Sequence, residues 1–349
     1  MLNELMRMFL GNSPKWYKST IIAFLILNPF ILFVCNLLGL NGGFIVGWMF
    51  LLEFIFTLAL ALKCYPLQPG GLLAIQAIAL GLTTPYHVLY EIEHNLEVIL
   101  LLIFMVAGIF FMKNLMLSIF TSLLLKVKSK TALSLLFCFS AAVLSAFLDA
   151  LTVTAVLIGV TVGFYRIYHT VASGKSFGDE HDFNNDINLS DLSVVELEEF
   201  KAFLRDLIMH GAVGTALGGV CTIVGEPQNL LIANIAQWEF VEFFIRMAPV
   251  TMPVFIAGLI TCYFVERFSI CGFGNQMPTN VTKIFNNFAL HDAANTTINQ
   301  RAQLLVELVV AVFLVIALAL HIAAVGLIGL GVIILLTSFS LNEITGILV

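Results

Sequence analysis

Long apolar runs alternate with short polar connections along most of the chain. Six of the runs have roughly the 20 residues that a helix needs to cross a bilayer. These runs are 19–40, 44–62, 98–125, 244–265, 304–323 and 325–341. We expect "NPF" at 28–30 to interrupt the first helix, because proline removes a backbone donor, and the piece 72–83 is too short to span upright alone. The pattern predicts an all-α polytopic membrane protein.

Composition supports this fold class. The chain has 349 residues, of which 60% are hydrophobic and 11% charged, far from the quarter or so of charged residues in soluble proteins. The net charge of -6 comes largely from the loop 166–206, so it gives no reason to expect nucleic acid as a partner; the partner is the lipid bilayer. The six cysteines form no CxxC pair and are interpreted as reduced apolar residues.

Lysines and arginines in the short connections predict the orientation. The N-terminus, Lys63 and the three lysines of 126–130 are placed in the cytoplasm, and the acidic loop 84–97 outside. The loop 166–206 is then cytoplasmic. In its second part, Ser193 and Glu196 fit a capping box ahead of apolar residues at helical spacing (Leu197, Phe200, Leu204, Leu207), which predicts a surface helix lying on the membrane.

Three acids lie deep in apolar sequence, namely Glu53, Asp149 and Glu226. An ionised carboxylate at the centre of a bilayer costs about 3 kcal/mol or more, so each must face protein or water. Glu53 is the weakest candidate, because a polar contact between helices would also explain it. Asp149 and Glu226 each come with further polar residues.

Asp149 lies at the middle of 131–165, a stretch of 35 nearly uncharged residues, and Thr152 and Thr154 follow it. Two full spans with an outside turn would fit, as would a re-entrant hairpin with its tip inside the membrane. A turn in water normally contains Gly, Pro or Asn, and this one does not. The sequence therefore favours the hairpin, since irregular backbone at depth is allowed where protein surrounds it.

The stretch "LGGVCTIVGEPQNLL" within 207–237 predicts a broken helix. Gly225 permits unusual backbone angles and Pro227 disrupts the turn before it, so the helix should unwind around 222–227. Unwinding frees carbonyl and amide groups, and Thr222, Glu226 and Asn229 add side-chain oxygens at the same place. Such oxygens suit a small hard cation. Glycines for helix packing and a simple proline kink are the structural alternative.

Several segments resemble the NhaB-type sodium/proton antiporters of bacteria. They are "NSPKWYK", "EFIFTLALALKCYPLQPGGLLAIQ", "NLEVILLLIFMVAGIFFMK", "LSAFLDALTVTAV", "GTALGGVCTIVGEPQNLLIA" and "HIAAVGLIGL". The segment "GGVCTIVGEPQN" is also similar to a signature of the wider ion transporter superfamily, which includes arsenite pumps and dicarboxylate carriers. That resemblance implies re-entrant hairpins and discontinuous helices in two inverted repeats. A second "G-x-P-x-N" segment does not follow Asn229, so we expect the second repeat to be incomplete in this chain, and the chain to be a fragment that cannot transport alone.

The resemblance also implies a division of the chain and a site. Residues 1–125 would be scaffold helices, 126–265 a transport unit with the hairpin, the loop and the broken helix, and 266–349 a connection and the start of the second half. Sodium would lie where hairpin and broken helix meet, at Asp149, Glu226 and Asn229, with Thr152, Thr154, Thr222 and Gly225 around it and Glu53 as a secondary residue. The resemblance also implies a location in the bacterial inner membrane and a role in pH homeostasis. It is compatible with a homodimer.

The predicted function is exchange of sodium, or lithium, for protons. Proton and sodium would compete for one carboxylate, because a bound cation favours its ionised form. A sodium-coupled dicarboxylate carrier of the same superfamily is the main alternative, but fixed negative charge at Asp149 or Glu226 would repel an anion. A cation channel is the other. The chain is not expected to be an enzyme or to need a cofactor, since an aspartyl protease needs two deep aspartates and the motif HExxH is absent.

Overall fold

We describe a computed structural model that covers residue 4 and residues 7–61, 63–64, 67–100, 103–104, 111–148, 150–175, 191–295 and 297–339. Within these ranges the secondary structure is helical, as predicted. The helices are α1 (Lys15–Leu37), α2 (Gly42–Ala59), α3 (Leu67–Ala79), α4 (Pro85–His94), α5 (Leu96–Leu100), α6 (Lys113–Lys126), α7 (Lys130–Phe147), α8 (Ala150–Ala172), α9 (Asp191–Gly219), α10 (Pro227–Ala236), α11 (Phe240–Arg267), α12 (Thr279–Asn295), α13 (Ile298–Ala319) and α14 (Val325–Phe339). A short 3-10 helix, Ile270–Gly272, follows α11.

Six of these helices are long and apolar enough to cross a membrane: α1, α2, α7, α8, α11 and α13. The helices α3 and α14 are apolar but shorter. Many large apolar side chains stay exposed on the spans, such as Phe33 on α1 and Ile256 on α11. Lipid is the solvent that suits such surfaces. The chain is a polytopic membrane protein.

The chain divides into two compact units, Met1–His94 and Asn95–Val349. The three-part division at residues 125 and 265 stays a prediction. In the first unit, α1 and α2 pack through aromatic side chains, with the Tyr17 and Phe56 rings stacked at 6.1 Å and Phe24 edge-on to Phe56 at 5.6 Å.

The first helix is not interrupted at "NPF". Helix α1 continues through Pro29 to Leu37. Proline cannot donate to the carbonyl of Leu25 four residues earlier. The side chain of Gln76 on α3 donates to that oxygen instead, with Nε2 2.6 Å from it. A replacement donor from another helix is what keeps the helix intact, and the sequence around Pro29 gives no sign of it.

Two connections contain helices that were not predicted. Helix α4 occupies most of the acidic loop 84–97, and α12 lies within the predicted connection that begins at 266. Apolar residues at helical spacing, such as Val88 and Ile92 on α4 and Val281 and Phe285 on α12, were the sequence signal for both helices.

The second unit is built around α9, which packs along α7 and against α8. The prediction of a separate surface helix that begins at Ser193 is wrong, because α9 already begins at Asp191 and runs without a break to Gly219. Its apolar face is buried in protein: the Phe200 ring lies 5.6 Å from Tyr168 and 5.5 Å from Phe285 on α12. The amphipathic pattern was read correctly, but the surface it meets is protein and not the membrane.

Candidate functional site

A helical hairpin and a discontinuous helix form the candidate site. The hairpin arms are α7, which ends at Phe147, and α8, which begins at Ala150. Leu148 and Ala150 are both buried, and Asp149 between them lies outside the described residues. Both arms are long enough to span a membrane. The re-entrant depth of the hairpin stays a prediction.

The helix after the predicted cytoplasmic loop 166–206 unwinds close to residues 222–227, where the sequence predicts a break. Helix α9 ends at Gly219, residues 220–226 are turns and bends, and α10 begins at Pro227. Proline suits this first helical position, because its missing N–H would have no partner there. Glu226 is the residue that precedes the helix, in an extended conformation.

Asn229 holds the unwound segment together. Its Nδ2 donates to the carbonyl of Gly219 at 2.9 Å and to that of Thr222 at 2.8 Å. These are carbonyls that the break releases from helical hydrogen bonding. The sequence predicts that Asn229 offers its side-chain oxygen to an ion. In the structure its amide nitrogen donates hydrogen bonds to two of the carbonyl oxygens that the break frees.

The hairpin tip and the unwound segment are joined by side-chain hydroxyls. Thr222 Oγ1 donates to the carbonyl of Ala146 in the last turn of α7, and accepts from the backbone N–H of Gly225 at 3.3 Å. Ser145 Oγ donates to the carbonyl of Thr215 at 2.8 Å. Across the second arm, Thr154 Oγ1 lies 3.3 Å from Thr215 Oγ1. Thr222 contacts Gly225, and Thr154 contacts Thr215 in the neighbouring part of α9; the role of these residues in binding an ion stays a prediction.

Two glycines let α9 approach α7 at backbone contact. A Cβ on Gly214 would lie 2.1 Å from the carbonyl oxygen of Cys138, and one on Gly218 would lie 1.9 Å from that of Ala142. The spacing of four residues repeats on both helices, as in the small-residue contacts of membrane helices. This pattern was visible in the sequence and could have identified the α7–α9 contact.

Glu226 and Thr152 lie at the edge of this cluster. Gln228 Nε2 donates to Glu226 Oε2 at 3.3 Å, and the Glu226 side chain is partly exposed. Thr152 is partly exposed in the first turn of α8. Within the described part of the chain, no group of three or more His, Cys, Asp or Glu side chains is arranged to hold a metal.

Glu53 belongs to the first unit and has different surroundings. It is buried on α2, and its Oε2 accepts from Asn28 Nδ2 on α1 at 2.8 Å.

A buried ion network at the start of α7 was missed. Lys130 Nζ lies 3.1 Å from Glu266 Oε1 on α11 and 3.8 Å from Asp206 Oδ2 on α9. Glu266 Oε1 also contacts His210 Nε2 at 3.0 Å and accepts from Ser134 Oγ at 2.9 Å. The network ties α7, α9 and α11 together. Lys130 and Asp206 had been assigned to polar connections, so their burial could not be inferred.

A second buried acid was also missed. Glu307 on α13 accepts from the backbone N–H of Leu115 at 2.6 Å and from Asn114 Nδ2 at 3.2 Å. Both donors lie in the first turn of α6, where helix N–H groups lack partners within the helix. Its position in the apolar run 304–323 was a signal, because an acid there needs a partner.

A hairpin arm that contacts the break of a discontinuous helix, together with six helices of membrane-spanning length, defines the class as a polytopic membrane protein. The particular family follows from sequence comparison. The profile of the family described as "Bacterial Na+/H+ antiporter B (NhaB)" matches residues 1–346, and the chain belongs to that family.

Curated relatives agree with this assignment. A protein named Na(+)/H(+) antiporter NhaB from Shewanella halifaxensis is 60% identical over 332 residues, which cover 95% of this chain and 61% of the relative. One of the same name from Vibrio cholerae is 57% identical over 338 residues, or 97% of this chain and 63% of the relative. The chain thus spans about three fifths of the length of these relatives. No solved structure matches.

Proposed function

We propose that the protein of which this chain is part exchanges sodium for protons across the bacterial inner membrane, with lithium as a further substrate. The relatives of the chain carry the name of sodium/proton antiporters, and the family match spans residues 1–346. Exchange of this kind uses the two ions alone and needs no cofactor. The proposed orientation places the N-terminus in the cytoplasm, and a homodimer is compatible with the proposal.

One observation carries the proposal. The last turn of the hairpin arm α7 is hydrogen-bonded to the unwound residues 220–226 through Thr222 and Ala146, and to the preceding helix α9 through Ser145 and Thr215. Carbonyl and hydroxyl oxygens of the hairpin arm and of the broken helix therefore lie together. Small hard cations prefer such oxygen ligands. A carboxylate at this place adds the negative charge that selects a cation over an anion.

The proposed mechanism is competition at Asp149. Sodium binds the ionised carboxylate together with oxygens of the tip and the unwound segment, and a proton displaces it by neutralising the same carboxylate. Exchange results if the site changes its exposure to the two sides only when it carries one of the two ions. Glu226, partly exposed beside the break, adds negative charge at the entrance, and Asn229 keeps the unwound backbone in shape.

The test is a pH-gradient dequenching assay in inverted vesicles that contain the full-length protein of which this chain is part, with sodium, lithium, potassium and a dicarboxylate added in turn. We expect sodium and lithium to release the gradient, and potassium and the dicarboxylate to leave it. Asp149→Asn cannot release a proton and should abolish exchange in folded, inserted protein. Asp149→Glu keeps the titrating group and should exchange with weaker sodium affinity and a shifted pH profile.

Two results would contradict the proposal. A gradient released by the dicarboxylate would identify an anion carrier. Exchange by Asp149→Asn at the unchanged rate and pH dependence would show that Asp149 is not the coupling residue. Glu93→Gln, which removes an exposed acid on α4, is the control for loss of charge alone.

A further inference from the structure

Three helices of the first unit share one buried polar centre. Asn28 Nδ2 on α1 donates to Glu53 Oε2 on α2 at 2.8 Å and to Gln76 Oε1 on α3 at 3.2 Å. Gln76 Nε2 donates in turn to the carbonyl that Pro29 leaves free on Leu25. The two carboxamides therefore use all of the donors that face this centre.

The centre has acceptors left over. Asn28 is fully buried, and its Oδ1 has no hydrogen-bond partner. Glu53 is 6% exposed, and Asn28 is its one hydrogen-bond partner among the described residues. A buried acceptor without a donor costs about 1–3 kcal/mol. One added proton on Glu53 neutralises the buried carboxylate and adds an O–H donor to a centre that holds an acceptor without a partner.

Glu53 differs from the buried acids of the second unit in how its charge is compensated. Glu266 and Asp206 face Lys130, and Glu307 accepts a backbone N–H at a helix start. The groups that face Glu53 from α1 and α3 are neutral carboxamides, and no Lys, Arg or His of the described residues pairs with it. An ionised carboxylate is costly in such a place, so a mobile cation must neutralise it.

The mobile cation at Glu53 is a proton. Hard metal cations take about six oxygen ligands in proteins, and this centre offers a carboxylate and two carboxamide oxygens. A glutamine at position 53 would supply the donor permanently without any desolvated charge. A glutamate at position 53 can do something that a glutamine cannot only if its carboxyl group releases the proton.

We propose that Glu53 is a second proton-binding site of the protein, separate from Asp149, which gains and loses its proton during exchange. The proposal rests on the proposed function for the exchange step, but proton binding at Glu53 can be measured without it. Asn28 and Gln76 are positioning residues that accommodate both forms of the carboxyl group.

The test compares Glu53→Gln with Glu93→Gln in the full-length protein by infrared difference spectroscopy between acidic and alkaline pH. We expect a C=O band of a buried protonated carboxyl group in the unchanged protein and in Glu93→Gln, and its loss in Glu53→Gln. In the vesicle assay, Glu53→Gln should insert, bind sodium with unchanged affinity and exchange with a shifted pH profile, since Asp149 still titrates. Glu53→Asp, which keeps a shorter titrating group, should retain the band at a shifted pH.

The outcomes separate the two proposals. If the unchanged protein does not exchange sodium for protons, the proposed function fails, and the infrared band still decides whether Glu53 titrates. An identical band in Glu53→Gln, or exchange by Glu53→Gln with the unchanged rate and pH profile, would overturn the second proton site. If Glu53→Gln does not insert, a band in Glu53→Asp at the unchanged pH would overturn it as well.

Discussion

The close contact between α9 and α7 gives a quantitative test of how the site is held. In Gly218→Ala, the added methyl carbon would lie 1.9 Å from the carbonyl oxygen of Ala142. Real contacts of this kind are about 3 Å or longer, so the two helices must separate locally by about 1 Å. The obstacle is a backbone atom and cannot rotate away as a side chain would.

The separation should affect both stability and the site. Forcing one methyl group into a packed contact costs about 1–3 kcal/mol, and we expect the upper end here. The hydrogen bond from Ser145 to the carbonyl of Thr215, now 2.8 Å, would lengthen beyond the limit of about 3.5 Å. The lost bond adds about 1 kcal/mol. The expected total for Gly218→Ala is about 3–4 kcal/mol.

The measurement is thermal unfolding of the full chain in detergent, followed by a dye that reacts with thiols as buried cysteines become exposed. Cys138 and Cys221 are buried beside this contact. Gly159→Ala on α8 is the matched control, because its methyl group would meet nothing within 4 Å. It should unfold at the unchanged temperature or slightly above, since alanine favours a helix by up to about 1 kcal/mol. If Gly218→Ala unfolds at the same temperature as Gly159→Ala and exchanges sodium for protons at the unchanged rate, the backbone contact does not hold the site.

The other predictions concern single polar groups. Lys130→Met removes the lysine that pairs with buried Glu266, while Asp206 keeps Arg205, and it should lower the free energy of unfolding by about 3–5 kcal/mol. Lys201→Met, which breaks an exposed pair, should cost less than about 1 kcal/mol in the same assay. Equal decreases in the free energy of unfolding would show that the buried network stabilises the protein no more than the exposed pair does. Glu226→Gln and Asn229→Ala should insert and bind sodium more weakly in the vesicle assay, the first through lost charge and the second through a loosened backbone. Unchanged apparent affinity in both variants would make the unwound segment structural only.

The spans and the helix break were predictable because they depend on local sequence. Apolar runs predicted α1, α2, α11 and α13, and the glycines with Pro227 placed the break within about two residues. The runs 98–125 and 325–341 were wrongly predicted as full spans, because the longest described helix in the first is the 14-residue α6 and the second contains the 15-residue α14. The continuity of α1 was not predictable, since it depends on Gln76, far away along the chain. The course of α9 was misjudged for a similar reason: an amphipathic face indicates that an apolar surface covers it, but not whether that surface is lipid or protein.

The same limit explains which site residues the sequence could identify. An acid inside an apolar run is visible, because its cost in a membrane is general. What the acid does depends on the partner that the fold brings to it. Glu266 is compensated by the fixed charge of Lys130 and needs no ion, so it holds helices together. Glu53 meets a neutral carboxamide and can be neutral only when a mobile cation binds. Buried acids without a fixed cation are therefore the ones to test first for transport, and buried acids with one are the ones to test for stability.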